Sequence, residues 1–135
     1  MNPSKANKGL SVLDKLLGEA SWLLSHAQAL VDYERPEEAK AELAKAANYE
    51  EEVAFLLDAL GRHQEAILHR VSAATCHENL SNYPQAVTLL WAALAGEITE
   101  EYRLKLEKQI KRCIARAKPL LTTSSGKTRS KREET

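Results

Sequence analysis

The chain has 135 residues, with 44% hydrophobic and 28% charged residues but only 5% aromatics, which fits one soluble globular domain built mainly from helix-forming Ala and Leu. The longest uncharged run, 79–96, holds only about ten apolar-rich residues where a bilayer span needs roughly twenty, so no membrane span is expected. Nineteen basic residues balance nineteen acidic ones overall but not locally: 14–65 carries 12 acidic against 5 basic (−7), and 103–135 carries 11 basic against 3 acidic (+8). Either the two halves attract each other or the basic end meets an acidic partner.

In chain order, residues 1–9 are polar and read as a flexible arm. A first helix is expected from Ser11, which has Asp14 at capping-box spacing, and its apolar stripe runs from Leu13 to Val31 with Trp22 at the edge. Pro36, followed by Glu37 and Glu38, suits the first turn of a second helix reaching Leu60, continuous or broken near Asn48. Gly61 is placed to end that helix in the left-handed conformation. A third helix follows from His63 to Leu80. Pro84 opens a fourth, apolar almost all round, which predicts a central position for it. Gly96 closes it, Thr99 caps a fifth helix, and Pro119 is expected to stop that helix. Residues 122–135 contain no large apolar side chain and read as a disordered basic tail, which leaves 10–121 as a single all-helical domain.

The connections are only a few residues long, and short connections force neighbouring helices to run antiparallel. The fold class is therefore all-α, an antiparallel helical hairpin array or bundle of about five helices. Three segments, ERPEEAKAELAKAA, GRHQEAILHRVSAA and SNYPQAVTLLWAAL, share a turn-plus-helix pattern with an early Ala (Ala39, Ala66, Ala86) and a small residue seven positions later (Ala46, Ala73, Ala93). This pattern resembles the tetratricopeptide repeat, with Ala54, Leu57, Gly61, Ala66 and Ala73 at matching positions over 47–80. The intervals from Ala39 to Ala66 to Ala86 are 27 and 20 residues, against 34 in that family. The microtubule interacting and trafficking domain is a second family similar in shape. The resemblance implies a partner-binding scaffold that is non-catalytic, with no cofactor and an unidentified protein partner. Trp22, Tyr49, Tyr83 and Trp91 are the candidate contact residues, because large amphipathic side chains are enriched at binding hot spots; core packing is the alternative for each, and for Trp91 the preferred one.

Other chemistries have thinner support. Arg62 and His69 have the spacing of an Arg-x(4-6)-His motif and resemble the catalytic pair of small helical-bundle ribonucleases, which implies general acid and base work at an RNA phosphate. His69, Cys76 and His77 form the only cluster of metal-ligating types, yet His77 is rotated about 100° from Cys76 on a helix, and no metal site is expected. The basic residues of helix 5 and the tail (Lys108, Lys111, Arg112, Arg116, Lys118, Lys127, Arg129, Lys131, Arg132) would give sequence-independent nucleic-acid binding, but no aromatic residues are interleaved with those of the tail for base stacking. Cys76 and Cys113 are expected as buried reduced thiols. Asp14, Lys15 and Glu19 interrupt the apolar stretch after Lys5 and Lys8, which argues against a secretory signal, and a cytoplasmic location is expected.

Overall fold

A computed structural model describes the backbone of residues 3–133 and the side chains of residues 11–117. It is all-helical: α1 (Pro3–Asp32), α2 (Pro36–Ala59), α3 (His63–Asn79), α4 (Tyr83–Leu94) and α5 (Glu100–Glu133), with no strand among the described residues. None of the helices is long and apolar enough, over the described residues, to cross a membrane.

The first three connections are one device used three times. Glu34, Gly61 and Ser81 take positive φ (59°, 77° and 60°), and the residue after each donates its N–H back to a carbonyl five positions earlier: Arg35 to Leu30, Arg62 to Leu57 and Asn82 to His77. These are Schellman closures, which satisfy the carbonyls that a helix end leaves bare. The residue after the left-handed position then starts the next helix, its carbonyl accepting from the N–H of Ala39, Ala66 and Ala86 in turn. Those three alanines, and Ala46, Ala73 and Ala93 seven positions on, are all buried. A methyl group is all that separates the crossing backbones there, so successive helices pack closely.

Each helix packs chiefly on its neighbours in the chain. Leu13, Val53, Ala54, Leu57 and Ala66 join α1, α2 and α3; Leu23, Ala46, Ala47 and Cys76 extend the same junction; Ile67, Ala74, Leu90, Leu94, Leu106, Ile110 and Cys113 join α3, α4 and α5. The helix shared by all three clusters is α3. The central place expected for α4 therefore belongs to α3, whose Ala66, Ala73, Ala74 and Cys76 let partners approach on several sides. On α4 one face is exposed, with Trp91 57% accessible.

Several boundaries differ from expectation. Helix α1 begins at Pro3 rather than Ser11, Pro fitting a first turn and Gly9 being carried inside the helix without breaking it. Helix α2 is continuous through Asn48. Helix α5 runs past Pro119, whose missing N–H forfeits one backbone bond without ending the helix. The cap at Thr99 is as expected, its hydroxyl accepting from the N–H of Tyr102 at 3.2 Å. The flexibility expected of 1–9 and 122–135 falls outside the residues whose side chains are described.

Candidate functional site

Charged side chains first hold the helices together. Carboxylates of α2 meet every histidine of the chain: Glu42 lies 3.6 Å from His26, Glu50 2.7 Å from His69, Glu51 3.2 Å from His77 and Asp58 2.8 Å from His63. Asp58 also accepts from Arg70, and mainly this bond, with His63 next, holds its carboxyl below the usual Asp range. On the other side of α3, Glu78 is only 5% exposed yet charged, because Arg112 (2.6 and 2.9 Å), Arg116 (3.1 Å) and Gln109 (3.1 Å) of α5 all donate to it. The Arg112 bonds are the main reason its carboxyl stays below the ordinary Glu value. A buried carboxylate satisfied in this way fixes the position of α5 against α3.

These pairings settle where the expected site residues stand. Arg62 caps the start of α3 and its guanidinium closes on Glu65 of that helix, Nη2 to Oε1 at 2.7 Å, while His69 shares a hydrogen bond with Glu50 of α2. Both members of the suggested ribonuclease pair thus have carboxylate partners within the fold. Cys76 is buried, and burial, with Glu50 nearby as the lesser cause, pushes its thiol up to about 11. His69, Cys76 and His77 turn to Glu50, the core and Glu51 respectively, and among the described residues no group of three metal-ligating side chains converges. Cys113 is a second buried free thiol. Of the basic α5 residues, Arg112 and Arg116 are occupied by Glu78.

The four candidate contact residues divide into two kinds. Trp22 is 58% exposed and stacks on His26 at 4.6 Å between ring centroids; Trp91 is equally exposed. Tyr49 and Tyr83 are half-buried, packed against the α1–α2–α3 and α3–α4–α5 clusters. The single Phe of the chain, Phe55, is 72% exposed. Its core is thus made of Ala, Leu, Val, Ile and Cys, with the largest aromatic rings outside.

A concave surface lies between the first turns of α3 and the start of α5. Its floor is apolar, formed by Ile67, Leu68, Ile98 and Tyr102, and its banks carry Gln64 and Glu65 on one side and Glu97 and Thr99 on the other. Leu68 stays 57% exposed there. Gly96 lets the end of α4 lie against this floor, since a Cβ added to it would come within 2.5 Å of Ile67 Cδ1. A second depression, lined by Asp58, His63, Arg70 and Ala92, shares Gln64, Ile67 and Glu97 with it. Leu68 lies off the apolar stripe of α3 and Ile98 lies in a linker, so only the isolated exposed Leu was a signal in the sequence. Comparisons with protein-family models, curated proteins and solved structures gave no match.

Proposed function

We propose that this protein is a non-catalytic scaffold of tetratricopeptide-like helical hairpins that binds a segment of another protein. The observation that carries this reading is the distribution of apolar side chains: a core of small aliphatic residues, with Trp22, Phe55, Leu68 and Trp91 left in solvent. Of these, Leu68 borders the concave apolar floor between α3 and α5, and a segment bound there removes apolar surface from water at about 25 cal/mol per Å². The α3–α5 groove is the seat of the segment, with Ile67, Leu68, Ile98 and Tyr102 receiving its apolar side chains and Glu97 favouring a basic flank, Glu65 being held by Arg62. Trp22 and Trp91 are further contact points, and a cytoplasmic location suits the free thiols.

The test is selection of binding peptides from a displayed random library on the purified protein, followed by titration of a selected peptide against the wild type and Leu68→Glu. The expected result is a selected consensus with alternating apolar and basic positions, and at least tenfold weaker binding to Leu68→Glu with an unchanged helical circular dichroism spectrum. Equal binding to both proteins would remove the groove from the account, and failure to select any peptide would remove the function.

A further inference from the structure

We infer that the exposed outer stripe of α5 docks on the α1–α2 groove of a second copy of this chain, a head-to-tail contact that does not involve the α3–α5 groove. The two surfaces are both apolar, both open, and opposite in charge. On one, Val12 and Leu16 of α1 and Phe55 and Leu56 of α2 form a shallow groove edged by Glu51 and Glu52. Phe55 is 72% exposed there, and Glu52 also borders a neighbouring depression lined by Lys45, Asn48 and Tyr49. Apart from Val12, this surface belongs to the segment 14–65, whose charge is −7.

On the other surface, Leu106, Gln109, Ile110 and Cys113 take the buried side of α5. The 3.6-residue period then puts Leu104, Lys108, Lys111 and Ala115 on the opposite side. All four are exposed, as are the flanking Lys105 and Ile114. Among the described residues Lys105, Lys108 and Lys111 make no ion pair, and the nearby Glu100 is met by Arg103 at 3.9 Å. A helix with an apolar and basic stripe lying in an apolar groove with acidic edges is a helix-in-groove contact with matched charge. The contacting patches are different on the two copies, so the contact is heterologous, and it propagates to rings or short filaments rather than stopping at a symmetric dimer.

Sedimentation of the full chain across a concentration series, at low and at high salt, tests this. Mass should rise with concentration at low salt and fall toward the monomer at high salt, where the Debye length shortens to a few ångströms. Phe55→Asp and the double variant Lys108→Glu/Lys111→Glu should each be monomeric, with unchanged helix content, because all three side chains are exposed. An equimolar mixture of the two variants should give a 1:1 dimer and nothing larger, since each retains only one competent surface. Leu68→Glu should associate like the wild type, which separates this contact from the segment-binding groove. A wild-type protein that is monomeric at every concentration overturns the inference and leaves these surfaces to solvent or to a different partner. A dimer indifferent to both variants overturns it as well.

Discussion

Replacing Glu78 by Gln keeps the shape of the side chain and removes the charge that holds α5. Gln109, Arg112 and Arg116 would then face an amide whose NH2 is itself a donor. Breaking a buried ion pair on one side costs about 3–5 kcal/mol, but both arginines are about half exposed and partly re-solvated by water, which brings the expected loss to about 2 kcal/mol. For a chain of this length that corresponds to a fall in Tm of roughly 6 to 10 °C at pH 7, measured by thermal circular dichroism. The pH dependence has a definite sign. The folded pKa of Glu78 lies below its free value of 4.5, so the stabilisation is complete above about pH 4.5 and is lost as the pH falls through the folded value. The gap between wild type and variant should therefore be constant from pH 8 to about pH 5 and narrow below that. A gap under 1 °C at pH 7, or one that is the same at pH 3 as at pH 7, would refute the assignment of Glu78 as the charged anchor of α5.

Two further outcomes follow from the geometry. Since Gly61 and Ser81 occupy equivalent left-handed turns, Gly61→Ala should destabilise by about 1 kcal/mol while Ser81→Gly stabilises by roughly 0.5 kcal/mol, its relief of strain being partly offset by the added freedom of the unfolded chain; urea midpoints check both signs. Cys76, with its thiol pushed up to about 11, should be only about one part in a thousand thiolate at pH 8 and should resist alkylation in the native protein while reacting promptly in urea, as followed by mass spectrometry.

The hairpins were legible in the sequence because their determinants are local. Gly61 marks a left-handed turn, Pro36 and Pro84 mark first turns, and the alanine pairs mark the crossings, all within a few residues of what they control. Glu34 and Ser81 were not legible as left-handed positions, since neither residue type favours that conformation; tertiary packing of the flanking helices holds them there. The order of layers was also hidden. Helix α4 has the more apolar sequence, but α3 has the smaller side chains, and closeness of approach rather than hydrophobicity decided which helix lies in the middle. The buried charges lay beyond reach for another reason: Glu78 finds Arg112 across 34 residues of chain, a pairing that no local pattern announces. Of the site, the core packing preferred for Trp91 does not hold, since its ring is 57% exposed, as Trp22 is on α1, and Leu68, Ile98 and Tyr102 come together only once α5 has been anchored to α3.

The central claim is that the α3–α5 groove receives a segment of another protein, and amide chemical-shift mapping of the 15N-labelled chain with a selected peptide tests it most directly. The account predicts that the largest shifts fall on Ile67, Leu68, Ile98 and Tyr102, with smaller ones at Glu65 and Glu97 and none along the α1–α2 groove at Val12 and Phe55. Shifts centred on Val12 and Phe55, or spread evenly over the surface without saturating, would contradict it.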